Sequence, residues 1–267
     1  MKIAKRFSKV LLLLTAFVFC MFYFFQEKLI FYSSTLPQTH EYRFNTAFEE
    51  IYLRSNDGAV LNGLHFKAAN PKGVILYCHG NAGALNVWGQ WGELLANRYS
   101  YDVVVWDYRG YGKSTGKRRQ QLMLDDGHLF YEYCKKLFPE DLITVYGRSL
   151  GGFFATHISI NNTPNRMILE STPVSILEVA QKSYPFIPAK CLLKFLFKNH
   201  ENIKEIAIPT YLIHGTEDDL IPFEHGQRLF ALSGAGTKDF FPVEGGNHND
   251  LSNFEEAYFE ALDQVLK

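Results

Sequence analysis

Ser149 stands in a setting that could make it a nucleophile. Residues 147–151 read Gly-Arg-Ser-Leu-Gly and match the pattern G-x-S-x-G. The apolar residues 142–146 come directly before this pattern and the helix-forming residues 150–160 overlap its end, so the serine falls on a sharp turn between a strand and a helix. Such a turn exposes the hydroxyl group, and the amide of Leu150 at the start of the helix is free to stabilise an oxyanion. The plainer alternative is a serine that caps the helix beside glycines needed for packing.

A serine needs a general base, and the base needs a carboxylate that orients it. His248 follows the last apolar strand in a glycine-rich loop, and we predict that it is the base. The other histidines after Ser149 lie in helices, in an insertion or at a strand end: His157, His200, His214 and His225. For the acid, Asp218 follows the penultimate strand and is the first choice, with Asp219 second and Glu170 third.

A second amide for the oxyanion is expected after the apolar residues 73–78. The loop at residues 79–83 reads His-Gly-Asn-Ala-Gly, and its small side chains let the backbone approach a substrate carbonyl. We assign this role to the amide of Asn81, beside that of Leu150. The sequence contains no His-Glu-x-x-His, and its nine histidines show no metal-ligand spacing, so neither a metal nor a cofactor is expected.

The elements that would position these groups alternate between strand and helix. From residue 73 onward, short apolar runs are followed by amphipathic stretches, which predicts a doubly wound, mostly parallel sheet of the α/β class. Before them, residues 48–53 and 60–66 flank the turn Asn-Asp-Gly at 56–58 and predict an antiparallel hairpin.

One segment, residues 172–207, interrupts the alternation and is rich in proline and aromatic residues. It predicts a short helical cap over the sheet, which either lines an apolar acyl pocket or simply packs on the sheet. Within it, Lys190, Lys194 and Lys198 have the i, i+4, i+8 spacing of a helix face. Such a face is either solvated or turned toward anionic lipid.

Composition limits the class of protein. Of 267 residues, 47% are hydrophobic and 21% are charged, as in a folded globular protein, and four cysteines are too few for a disulfide scaffold. The formal net charge is −1, so no basic excess marks a surface for nucleic acid.

The N-terminus carries a candidate membrane segment. Residues 10–25 contain no charged side chain, and the run ends in bulky aromatic residues rather than in a small-x-small cleavage site. This favours an uncleaved signal anchor over a cleaved signal peptide. Four cations precede the run: Lys2, Lys5, Arg6 and Lys9. They predict a cytoplasmic N-terminus and a domain on the periplasmic, lumenal or extracellular side. We expect a transmembrane helix at residues 1–28, a tether at 29–47 and the hydrolytic domain at 48–267.

Five blocks of the sequence together resemble the α/β-hydrolase superfamily, and within it the membrane-anchored, serine-aminopeptidase-like branch. They are HGNAG at 79–83, DYRGYGKS at 107–114, GRSLGG at 147–152, HGTEDDLIP at 214–222 and GGNH at 245–248. The blocks occur in the family's order, and the resemblance covers the chain from about residue 50 to the C-terminus. It implies the α/β-hydrolase fold, a triad of Ser149, Asp218 and His248, and hydrolysis of an acyl bond. The short cap and the membrane segment depart from the family norm.

The leading hypothesis is a membrane-tethered serine hydrolase that cleaves a carboxylic ester or thioester through an acyl-enzyme. Its partners would be a small or lipid-like acyl substrate and the membrane, without nucleic acid. The alternative is a serine peptidase on the same triad, which would need a carboxylate for a substrate amine; Glu178, Glu201 and Glu205 are available. A non-catalytic binding protein is the third hypothesis, although such a protein has no need for the serine, base, acid and both oxyanion loops together.

Overall fold

The computed structural model describes residues 2–267, with side chains from Lys5 onward, and its centre is an eight-stranded sheet. The strands are β1 (Phe48–Arg54), β2 (Val60–Phe66), β3 (Val74–Cys78), β4 (Asp102–Trp106), β5 (Ile143–Arg148), β6 (Arg166–Glu170), β7 (Thr210–Gly215) and β8 (Lys238–Val243). Their order in the sheet is β1-β2-β4-β3-β5-β6-β7-β8. β1 and β2 form the predicted antiparallel hairpin, β2 also pairs antiparallel with β4, and all other pairs are parallel. The expected mostly parallel α/β sheet is confirmed.

The described residues also form nine α-helices. They are α1 (Lys2–Ile30), α2 (Leu85–Tyr99), α3 (Gln120–Lys135), α4 (Gly151–Ile160), α5 (Ile176–Ser183), α6 (Ala189–Leu192), α7 (Asn199–Asn202), α8 (Phe223–Leu232) and α9 (Glu255–Leu266). Successive side chains of a strand point to opposite faces. In β3, Leu76 therefore joins a core with α3, α4 and α8, whereas Tyr77 joins a second core with α2 and α9.

The first helix, α1, carries the apolar N-terminal run. The stretch from Lys5 to Ile30 is long and apolar enough to cross a membrane, with a mean hydropathy of 2.1 in a window that is not buried within the protein. Its large apolar side chains, from Phe7 to Phe25, are mostly exposed. The helix is thus a candidate membrane segment, although length and composition alone do not give its orientation.

The segment between α1 and β1 lies against the body of the protein. Phe31 is buried, and Ser33 and Thr35 form isolated β-bridges with Gly83 and Gly112. The part of the chain expected to be a tether therefore contacts the loops that carry these two glycines.

The insertion at residues 172–207 contains more loop than helix. Its three helices are short and separate, and α6 ends at Leu192 because the backbone becomes extended at Leu193, where ψ is 130°. The prediction of a single lysine-bearing helix face is therefore wrong for Lys190, Lys194 and Lys198.

Candidate active site

Ser149 lies on the turn between β5 and α4. Its φ angle is +51°, a left-handed conformation that is costly for a residue with a side chain. After the turn, α4 approaches β3 so closely that a Cβ atom on Gly151 would collide with the carbonyl oxygen of Cys78. Glycine at position 151 therefore allows the close approach that places the serine at the end of β5.

Gly151→Ala should destabilise the protein by about 3 kcal/mol, because the added methyl group forces α4 away from β3. The matched control is Gly236→Ala, since a Cβ atom at Gly236 would have no neighbour within 4 Å. Thermal unfolding of the purified full-length variants measures the difference. Equal unfolding midpoints for the two variants would contradict the close packing of α4 on β3.

The structure brings Ser149, His248 and Asp218 together. Nε2 of His248 lies 3.0 Å from Oγ of Ser149, and Nδ1 of the same ring lies 2.8 Å from Oδ2 of Asp218. The amides of Leu220 and Ile221 donate to Oδ1 of Asp218, at 3.1 and 2.7 Å. All three side chains are buried. The contacts connect a hydroxyl group, an imidazole and a carboxylate in the order that a proton transfer from serine requires.

Asp218 is held in its ionised form. Burial alone would raise its pKa, but hydrogen bonds from His214 and His248, together with the amide of Ile221, hold the pKa well below its usual range. Nε2 of His214 lies 3.3 Å from Oδ2 of Asp218. The carboxylate favours the proton on Nδ1 of His248, which leaves Nε2 free to accept the proton of Ser149.

Arg148 supports the loop that carries His248. Its Nη2 donates to the carbonyl oxygen of His248 at 2.9 Å, and its Nε lies 2.7 Å from Oε1 of Glu170. Tyr146 and Tyr258 donate to the second carboxylate oxygen of Glu170. Burial would lower the pKa of Arg148, but Glu170 raises it above its usual value, so the arginine stays charged. The sequence analysis missed this role because Arg148 is the first x in the pattern G-x-S-x-G, where the pattern accepts any residue.

Leu150 and Asn81, whose backbone amides the sequence assigns to the oxyanion, line the same cavity as Ser149. Within the described part of the chain, neither amide donates a hydrogen bond to another protein atom. Both are therefore free to bind a substrate oxygen, which is the role that the sequence analysis predicts for them.

The side chain of Asn81 connects its loop to the end of α1. Its Nδ2 donates to the carbonyl oxygen of Ile30, and its Oδ1 accepts from the amide of Tyr32 and the hydroxyl group of Tyr111. The last carbonyl groups of a helix have no partner within the helix, so this bond satisfies one of them. The loop that presents the Asn81 amide is thus attached to the N-terminal helix, a contact that no sequence pattern indicated.

An apolar cavity of about 270 Å³ opens beside Ser149. Around the serine it is lined by His248, Asn81 and Leu150, and elsewhere mainly by apolar residues of the cap and of α1. No aspartate or glutamate is found among the described residues that line it.

One part of the cap packs on the core, and another part lines the cavity. Phe195 and Phe197 are buried in the core, where Phe197 stacks on Phe153 with ring centroids 5.1 Å apart. Tyr184 and Ile187 line the cavity instead.

The alternative acids and bases are exposed or have other partners, and His214 contacts Asp218 itself. Asp219 is exposed, and Glu170 belongs to the ion pair with Arg148. His225 accepts from the amide of Val174, and His200 contacts the carbonyl oxygen of the same residue. Among the residues that the structure describes, the cavity lining includes none of the four alternative bases: His157, His200, His214 and His225.

Comparisons with known proteins identify the family to which the chain belongs. The profile of the serine aminopeptidase family S33 matches residues 69–200. Alpha/beta hydrolase domain-containing protein 17B of Homo sapiens is 31% identical over 204 residues, which cover 74% of this chain and 67% of that protein. A lysophosphatidylserine lipase of Danio rerio is 30% identical over 193 residues, which cover 63% of this chain and 48% of that protein.

A solved structure shares the fold. The esterase Pf2001 of Pyrococcus furiosus superposes with a TM-score of 0.71 at 18% identity, covering 88% of this chain and 96% of the esterase. The prediction from the five sequence blocks is confirmed: the chain belongs to the α/β-hydrolase superfamily, and this membership supports hydrolase activity.

Proposed function

We propose that the protein is a serine hydrolase that cleaves a carboxylic ester or thioester through an acyl-enzyme. The observation that carries the proposal is the connected set Ser149, His248 and Asp218 beside an apolar cavity with two free amides. A binding protein with the same fold would gain nothing from a strained serine or a buried carboxylate, both of which cost free energy.

In the proposed reaction, Oγ of Ser149 attacks the acyl carbon while its proton passes to Nε2 of His248. The amides of Asn81 and Leu150 donate to the oxyanion that forms. His248 then protonates the leaving alcohol or thiol, and Asp218 stabilises the positive charge on the ring. A water molecule, deprotonated by His248, hydrolyses the acyl-enzyme and restores Ser149.

An ester is favoured over a peptide because, among the described residues, no carboxylate lines the cavity to bind a substrate amine. Glu178 pairs with Arg228 at 2.6 Å, and Glu201 pairs with Lys198 at 2.9 Å. Glu205 is exposed, and the cavity lining contains none of these three carboxylates within the described chain. The relatives named as an esterase and a lipase support an acyl ester as the substrate class.

The proposal includes α1 as a single-pass membrane anchor. Its apolar surface is exposed, and the cations at its start favour a cytoplasmic N-terminus. The domain would then act on the periplasmic, lumenal or extracellular side.

Covalent labelling of the full-length protein in membranes with a tagged fluorophosphonate tests the proposal. The wild type should be labelled at Ser149, located by mass spectrometry, because a serine activated by a base reacts with this probe. Ser149→Ala and His248→Ala should not be labelled. Ser159→Ala is the matched control on α4, since Oγ of Ser159 has no hydrogen-bond partner in the described structure, and it should be labelled like the wild type. A folded wild type that does not react would contradict the proposal and favour a binding protein.

A further inference from the structure

The last turns of α1 line the cavity beside Ser149. Four residues of the helix take part: Phe22, Gln26, Leu29 and Ile30. Their spacing of i, i+4, i+7 and i+8 places them on one helix face. On the other faces of the same turns, the apolar side chains of Met21, Phe24 and Phe25 are exposed. One face of the helix therefore belongs to the cavity, and the remaining faces are available to lipid.

Gln26 attaches this face to the cap. It is only 4% exposed, its Oε1 accepts from the amide of Lys194 at 2.7 Å, and its Nε2 donates to the carbonyl oxygen of Leu192 at 3.0 Å. One turn earlier in the helix, the ring of Phe22 packs against Tyr184 with centroids 5.4 Å apart. These contacts fix the rotation of α1 about its axis, so the same face stays turned toward the cavity.

The turns that line the cavity lie where α1 leaves its apolar run. Residues 10–25 are uncharged, whereas residues 26–28 are polar. Phe22 lies within the apolar run and Ile30 beyond it, about 12 Å apart at the rise of an α-helix. The cap loop that contacts Phe22 also carries Phe186, which is 95% exposed. An exposed phenylalanine beside α1 fits contact with a membrane interface, where Phe, Trp and Leu side chains of interfacial segments enter the acyl boundary.

We propose that α1 forms one wall of the acyl-binding site, and that the acyl chain of a membrane-resident ester lies along it from Ser149 toward Phe22. This inference rests on the proposed ester hydrolysis and adds the residues that select the chain. A volume of about 270 Å³ is close to the lower end for small-molecule pockets, which suits a single acyl chain. The one charged group in the described lining, Arg148, is already paired with Glu170.

The position of α1 also accounts for the supply of substrate. An ester dissolved in the bilayer already has its acyl chain among hydrocarbon at the depth of Phe22. Movement along the cavity face of α1 keeps that chain in apolar surroundings, so the free-energy cost of exposing it to water is avoided. The helix therefore both anchors the domain and guides the chain toward Ser149.

Chain-length selectivity of the full-length protein in nanodiscs tests the inference. The measured quantity is kcat/KM for p-nitrophenyl palmitate divided by kcat/KM for p-nitrophenyl butyrate. Leu29→Trp places a larger side chain in the cavity and should lower this ratio at least about tenfold, because a palmitoyl chain has to pass Leu29 to reach Phe22, whereas a butyryl chain of four carbons stays beside Ser149. Phe25→Trp, on the exposed side of the same helix, is the matched control and should leave the ratio unchanged.

A second variant acts in the opposite direction. Phe22→Ala opens the far end of the cavity and should raise the rate for stearoyl relative to lauroyl esters, whether or not Leu29→Trp folds. The role of α1 would be overturned if Leu29→Trp kept the palmitate-to-butyrate ratio of Phe25→Trp and Phe22→Ala kept its stearoyl-to-lauroyl ratio. If the wild type failed to react with fluorophosphonate, the proposed hydrolase activity itself would be at fault, so the two failures can be told apart.

Discussion

Ser149→Ala is expected to lower kcat for a cleavable ester by about 10⁵- to 10⁶-fold, and His248→Ala should lower it by a similar factor. The alanine removes the attacking oxygen, and the loss of the imidazole leaves the serine without a base 3.0 Å away. Because the two side chains act as one unit, the double variant should be no slower than either single variant. Hydrolysis of p-nitrophenyl butyrate by purified full-length protein measures all three rates.

His200→Ala provides the control for this series, since His200 contacts the carbonyl oxygen of Val174 and does not line the cavity. Its kcat should stay within about twofold of the wild type, as expected for a change away from the reacting groups. If the double variant were slower than each single variant by a further large factor, Ser149 and His248 would not act as one unit, because the free-energy effects of independent residues add.

Asp218→Asn is expected to lower kcat by about 10⁴-fold with little change in the fold. An asparagine can still accept from the amides of Leu220 and Ile221 through its oxygen. Its amide group, however, no longer supplies the negative charge that favours the proton on Nδ1 of His248. The ring proton would then lie on Nε2, which could no longer accept the proton of Ser149, and the ring would lose the charge that stabilises it when protonated. The rate of p-nitrophenyl butyrate hydrolysis and the unfolding midpoint are measured together.

Asp219→Asn is the matched control, because it makes the same chemical change at the exposed neighbouring position. Its kcat should match that of the wild type. If Asp219→Asn lost as much activity as Asp218→Asn, the assignment of the acid to Asp218 would be wrong and the second choice from the sequence would replace it.

Much of the fold could be predicted because its signals are local. Buried parallel strands are short apolar runs, as in β3 and β4, and the amphipathic stretches between them form the covering helices. The cap was harder to predict, because its prolines and aromatic residues indicate an insertion between two strands without specifying where its helices end. The lysine spacing suggested one helix, and the extended backbone at Leu193 interrupts it.

The contacts among Ser149, His248 and Asp218 could also be anticipated, since each residue follows a strand of one parallel sheet and such strand ends meet at one edge. Their catalytic roles stay predictions until the variants are measured. Arg148 and the side chain of Asn81 could not be anticipated, because their partners are distant backbone carbonyl groups that leave no pattern in the sequence. The cavity face of α1 was hidden for another reason: apolar side chains lie on the lipid-exposed faces too, as at Phe24 and Phe25, so the sequence does not show which face is covered.

The hydrogen bond between Asn81 and the carbonyl oxygen of Ile30 has a consequence for release of the domain from the proposed membrane anchor, α1. Proteolytic shedding after α1 would remove that carbonyl group from the loop that presents the Asn81 amide, and would remove Phe22, Gln26 and Leu29 from the cavity. The shed domain would keep its sheet but lose one wall of the cavity beside Ser149. We therefore expect cleavage at this junction to switch the protein off, rather than to liberate a diffusible enzyme.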